Sequence, residues 1–168
     1  MQARVKILGH PVHQMLIVFP LGALGAAVVF DIIGLISGGG ARWHEIAFWM
    51  IAFGIITGLI AAVFGLIDWL GIPRGTRAWR VGAMHGGGNV LVVALFAASW
   101  LLRWPTPGLA PTIAVLLSFL GFALAGVTGW LGGELVGRLG VGVDEGAHLD
   151  ASSSLSGTPA SLSRRDVP

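Results

Sequence analysis

The stretch VHQMLIVFPLGALGAAVVFDIIGLIS, residues 12–37, carries a single formal charge, Asp31. A helix needs about 20 apolar residues to cross the hydrocarbon layer of a bilayer, and this run exceeds that length. It is also too long for the apolar core of a secretory signal, about 7–15 residues, and it contains His13 and Pro20. The stretch therefore predicts a retained membrane helix. Working outward, three more segments qualify. Residues 43–70 are uncharged from Ile46 to Ile67, residues 77–102 after Arg80, and residues 109–135 from Leu109 to Gly133. Between them lie SGGGAR (37–42), LGIPRGTR (70–77) and WPTPG (104–108), whose Gly and Pro content marks turns and short loops.

The composition agrees. Of the 168 residues, 55% are hydrophobic and 11% charged. A soluble domain carries about a quarter charged residues. Such a chain cannot cover its own surface with groups that water solvates, so lipid is the expected solvent. Short loops make successive helices antiparallel neighbours. The expected fold is all-α: a polytopic membrane protein built as an antiparallel four-transmembrane-helix bundle. Its parts are an N-terminal segment (1–11), the membrane domain (12–137) and a Ser-rich, disordered cytoplasmic tail (138–168).

Arg4, Lys6, Arg74, Arg77, Arg80 and Arg138 fall on the side that holds both termini, and only Arg42 and Arg103 fall on the other. The positive-inside rule then places both termini in the cytoplasm, with the protein in the bacterial cytoplasmic (inner) membrane. Trp69 and Trp79 mark one interface, and Trp43, Trp100 and Trp104 the other, as an aromatic belt requires. The net charge of +2 is explained by this topology and gives no reason to expect a nucleic-acid partner. There is no cysteine, which excludes disulfides, thiolate catalysis and thioether haem attachment. Gly121, Ala125, Gly129 and Gly133 form one small-residue stripe, and Gly54 with Gly58 another. Such stripes permit close helix packing within the bundle or between copies in a homo-oligomer.

Polar residues converge by depth at the end holding the termini. His10 and His13 open the first helix, Asp68 closes the second, His85 and Asn89 begin the third, and Glu134 ends the fourth. Each has a plain explanation. His10 sits at the helix mouth and is wetted there, and Asp68 and Glu134 pair with interfacial arginines such as Arg80 or Arg138. Asn89 bonds a neighbouring helix. His85 is followed by Gly86, Gly87 and Gly88, which leave space for a neighbouring helix or a flat ligand. At the far end, Asp31 and His44 are expected as an interfacial pair, with Glu45 beside it. Ser99 and Ser118 have no evident histidine at their depth, so no hydrolase arrangement is expected.

Ionisable groups within membrane segments usually face the bundle interior. His13 and His85, on diagonal helices, are expected to face each other, and two imidazoles can hold a b-type haem without cysteine. On this reading His13, His85 and Asn89 bind the cofactor while His10, Asp68 and Glu134 orient the ligands. The same His13 and His85 are candidate ligands for a divalent metal, and the layer also suits a quinone headgroup or a proton relay. The protein would then be an electron-transfer module working with redox proteins or quinone, and not a stand-alone enzyme. The alternative is a non-enzymatic membrane partner or assembly protein whose polar cluster is an internal hydrogen-bond network. A small transporter ranks below both, since four helices make a narrow bundle without oligomerisation.

GHPVHQMLIVFPLG (9–22), GLIDWLGIP (65–73), MHGGGN (84–89) and GGELVGRLGVGV (132–143), in this order, resemble a bacterial membrane family catalogued as domain of unknown function 2231. The resemblance implies a small four-helix membrane domain and carries over His10, His13, Asp68, His85, Asn89 and Glu134 as motif positions. It carries no established activity. In some relatives a similar domain precedes a Rieske-type iron–sulfur domain, which implies redox work. This chain departs from the pattern at Gln14, Gly137 and Leu139, where proline, tyrosine and histidine are common.

Overall fold

The computed structural model describes residues 1–162. It is all-α apart from one short hairpin, in which β1 (Lys6–Ile7) pairs antiparallel with β2 (His10–Pro11). Leu8 and Gly9 take positive φ, 52° and 83°. A two-residue hairpin turn demands that conformation. The first span is α1 (Val12–Leu16) followed by α2 (Val18–Ile36). Pro20 explains the interruption between them: it has no N–H to give the carbonyl of Leu16. The other spans are α3 (Gly40–Trp69), α4 (Arg77–Arg103) and α5 (Thr112–Gly137). Thr76 caps α4 by accepting the Trp79 N–H at 3.1 Å.

All four spans are long and apolar enough to cross a membrane. Their outward faces are as apolar as their inward ones: Val90, Trp130 and Leu101 are all well exposed. A helix that is hydrophobic all round belongs in lipid. The tight pairs are α2 with α3 and α4 with α5, while α3 with α4 and α2 with α5 close the bundle more loosely. The end of α2, the start of α3, the end of α4 and the start of α5 meet at one pole, so successive spans run in opposite directions. The buried apolar centre is Leu24, Ala27, Val28, Ala47, Ile51, Val92 and Phe96. Glycines permit the close approaches. A Cβ on Gly54 would stand 2.6 Å from Leu24 Cδ2, and one on Gly121 2.9 Å from the Phe96 ring.

The tryptophans segregate by pole. Trp69 and Trp79 lie 5.1 Å apart at one, while Trp100 stacks on Phe48 at 5.2 Å and meets Trp104 at 4.7 Å at the other. After α5 the chain folds back over the N-terminal segment. The Met1 ammonium donates to Gly140 O, Gly142 N–H to Met1 O, Lys6 pairs with Asp144, and Ser154 Oγ donates to Leu8 O. Residues 163–168 of the expected tail lie outside the described residues.

Candidate functional site

Two polar layers remain inside this apolar bundle, one near each pole. In the layer near the termini, His13 Nδ1 donates to Ala61 O at 2.9 Å, tying α1 to α3. His85 Nδ1 donates to Thr128 O at 2.8 Å, tying α4 to α5. Asn89 Nδ2 then donates to His85 Nε2 at 3.2 Å, and Thr128 Oγ1 donates to Asn89 Oδ1 at 2.9 Å. His85, Asn89 and Thr128 thus form a closed triangle. The His13 and His85 ring centroids are 6.4 Å apart, with their planes almost perpendicular.

Glycines on the facing helices make room for these side chains. A Cβ on Gly65 would stand 2.8 Å from His13 Cε1, one on Gly132 3.1 Å from His85 Cε1, and one on Gly88 2.5 Å from the Thr128 methyl. Of the GGG run after His85, only Gly88 serves the interior. Gly86 and Gly87 face no atom of the described chain within 4 Å.

The other candidates lie elsewhere. His10 is exposed on β2, with Nε2 3.4 Å from Ser154 Oγ. Asp68 accepts the Arg4 backbone N–H at 2.7 Å, and Glu134 accepts from Arg77, not Arg80 or Arg138, at 2.6 Å. The expected His/carboxylate cluster holding a b-type haem or a metal is therefore corrected. Among the described residues no group of three or more His, Cys, Asp or Glu side chains is placed to hold a metal ion. Both carboxylates are drawn to cationic or backbone donors outside the histidine layer. Both nitrogens of His85 are taken by Thr128 and Asn89, which leaves no lone pair for a metal. The layer is an internal hydrogen-bond network.

Thr128→Val keeps the methyl that fills the space at Gly88 and removes one bond of the triangle. Interhelical hydrogen bonds in membranes are worth about 0.6 kcal/mol on average and about 1.7 kcal/mol at most, so the expected loss is about 1 kcal/mol. SDS titration in mixed micelles measures it. Asn89→Leu and the double variant should fall less than additively, because all three residues share one network.

The far layer is the more completely buried of the two. Arg103, Asp31, Ser99 and Ser118 are fully inaccessible, and His44 is 8% exposed. Arg103 grips Asp31 with two parallel bonds of 2.7 Å, Nη1 to Oδ1 and Nη2 to Oδ2. This is the fork-to-carboxylate geometry that makes arginine, and not lysine, suited to buried pairs. Arg103 Nε donates to Ser99 Oγ at 3.2 Å and Nη2 to Ser118 Oγ at 3.3 Å. Ser99 Oγ in turn donates to Ala114 O at 2.7 Å. His44 Nδ1 donates to Asp31 Oδ1 at 2.8 Å. One layer thereby joins all four spans.

By sequence position Arg103 reads as a loop charge, and Asp31 with His44 as an interfacial pair. In the structure α4 continues through Arg103 and turns it inward. Its spacing of four from Ser99 is the available signal, since i and i+4 share a helix face.

No curated protein and no solved structure matches the chain. The family model described as "Predicted membrane protein (DUF2231)" matches residues 9–145, a stretch that contains all four membrane spans and both polar layers. The chain belongs to that family.

Proposed function

We propose that this chain is a non-enzymatic partner or assembly protein of the bacterial cytoplasmic membrane, with both termini in the cytoplasm. The observation that carries this reading is the His85–Asn89–Thr128 triangle, whose polar atoms bond one another and the backbone. Polar groups satisfied in this way specify helix pairing and depth. The orientation is supported by the basic residues around the terminus-bearing pole, Arg4, Lys6, Arg74, Arg77, Arg80 and Arg138. It is supported too by the burial of Arg103, which leaves Arg42 as the exposed arginine of the described residues at the far pole.

An outward face suited to assembly lies on α4 and α5. Gly86, Gly87, Gly126, Gly129 and Gly133 have no atom of the described chain within 4 Å of a would-be Cβ. In lipid, where the hydrophobic effect supplies no drive between helices, small residues let a second helix approach closely. Counting subunits by single-molecule photobleaching in nanodiscs tests the reading. The parent protein should form oligomers, and Gly129→Leu with Gly133→Leu should reduce them to monomers that remain folded. A parent that stays monomeric and captures no partner after in-cell crosslinking would overturn it.

A further inference from the structure

In the layer near the termini, one hydroxyl has two acceptors for a single hydrogen. Thr128 Oγ1 lies 2.9 Å from Asn89 Oδ1 and 3.1 Å from Ala125 O. A hydroxyl donates once, and its oxygen can accept as well. His85 fixes the sense of the other bonds. Its Nδ1 faces the Thr128 carbonyl at 2.8 Å, and a carbonyl only accepts, so Nδ1 carries hydrogen in either charge state of the ring. Nε2 is then the atom at which this imidazole gains or loses a proton. In the neutral ring Nε2 accepts, and Asn89 turns its NH₂ group toward it at 3.2 Å. A carboxamide presents a donor at one end and an acceptor at the other, so turning it over exchanges the two roles without moving the backbone.

We propose that the His85–Asn89–Thr128 triangle is a proton-binding site with two complete hydrogen-bond patterns, switched by reversal of the Asn89 carboxamide. A hydronium ion from the terminus-bearing pole gives the proton. Its O–H bond breaks, leaving water, and the Nε2 lone pair forms the new N–H bond. Asn89 Oδ1 now accepts from Nε2–H, Asn89 Nδ2 donates to Thr128 Oγ1, and the Thr128 hydrogen turns to Ala125 O. The neutral pattern has three bonds: His85 to Thr128 O, Asn89 to His85, and Thr128 to Asn89. The charged pattern keeps a bond at each of these places and adds the one to Ala125 O, which is already in reach. Both links between α4 and α5 survive the change. A metal ion at Nε2 would need further ligands, whereas a proton needs only the amide oxygen.

His13 on α1 is the titratable group that faces His85, with ring centroids 6.4 Å apart. It is tied to Ala61 O, and a charge on it would oppose one on His85. The other charged groups at this end are engaged or exposed. Asp68 of α3 accepts the Arg4 N–H, and Glu134 of α5 accepts from Arg77 of α4. Arg80 of α4 is exposed, and the one carboxylate of α2, Asp31, belongs to the far layer. α3 and α5 present Gly65 and Gly132 to the two rings. The proposal uses the triangle that carries the assembly reading but does not need the oligomer. A monomeric chain binds the proton equally well, so the two experiments fail separately.

The test is solid-state NMR of the full chain in lipid bilayers, with ¹³C,¹⁵N-labelled histidine and ¹⁵N-labelled asparagine. Asn89 is the only asparagine, so its side-chain signal needs no assignment. The ring in dipolar contact with Asn89 Nδ2 at high pH is His85. The pH runs from about 8 to about 4, on both sides of the ordinary histidine value of about 6.5. Nε2 of His85 should pass from the unprotonated to the protonated resonance. The coupling between Asn89 Nδ2 and the His85 ring carbons should weaken about twofold with the same midpoint, as the amide oxygen takes the place of the nitrogen. In Asn89→Leu, with His85 assigned through Gly86, proton affinity should fall about tenfold, the scale of one hydrogen bond to a charged group. A His85 Nε2 still unprotonated at the acid end, or protonated with the Asn89 coupling unchanged, would overturn the proposal. So would an unaltered affinity in Asn89→Leu. Should that variant fail to fold, the coupling in the parent protein decides alone.

Discussion

Arg103→Met is expected to destabilise the bundle by about 3–5 kcal/mol, the scale for removing one partner of a buried ion pair. The reason is what remains. Asp31 is fully inaccessible and, without the guanidinium, keeps a single donor, His44, for a carboxylate that receives three bonds in the parent. Ser99 and Ser118 lose the donors from Arg103 at the same time. Arg103→Lys should recover little, because one ammonium cannot reproduce the two parallel bonds and the bond to Ser99. Asp31→Asn combined with Arg103→Met should recover most of the loss. It removes the orphaned charge while an amide oxygen still accepts from His44. The measurement is SDS-induced unfolding in mixed micelles. A single Arg103→Met variant as stable as the parent would mean that this layer does not hold the four spans together.

The second large effect separates two uses of one glycine stripe. Gly121→Leu should destabilise by about 1–3 kcal/mol, as overpacking of a filled interior does. Its first added carbon already stands 2.9–3.0 Å from the Phe96 ring and 3.4 Å from Leu95 Cβ. Phe96 is fully buried and has nowhere to move. Gly129→Leu, two turns along the same helix, should leave stability unchanged, since nothing in the described chain lies within 4 Å of its Cβ position. Thermal unfolding of the two variants in one detergent makes the comparison. Equal losses would show that α5 does not present these two glycines to different surroundings.

This split shows where reading the sequence stops. Gly121, Ala125, Gly129 and Gly133 are equally spaced, and spacing alone cannot tell a face packed inside the bundle from one left outside it. The azimuth of α5 decides, and that is set by which side chains of α4 it meets. The same holds for Asp68 and Glu134. Their depth beside the histidines follows from counting residues, but their side chains turn to Arg4 and Arg77, donors outside the layer. Thr128 carries no signal in the sequence, being one hydroxyl in an apolar run. Only in the fold do its carbonyl and hydroxyl close the triangle on His85 and Asn89.

That the chain has four apolar spans is readable from the sequence alone, although α3 begins at Gly40, inside the SGGGAR expected as a turn, and α5 at Thr112 and not at residue 109. Apolar length, Gly and Pro punctuation and the placement of tryptophan are local properties, and the bilayer imposes them directly. The pairing of polar atoms is not readable in this way. Arg103 and Asp31 are separated by 72 positions, and their bidentate contact exists because four helices bring their ends together with one particular rotation of each. That rotation follows from glycines fitting against Leu24, Phe96, His13 and His85, a matter of ångströms across helices. Sequence spacing measures depth along a helix, and only packing sets the direction in which a buried side chain points.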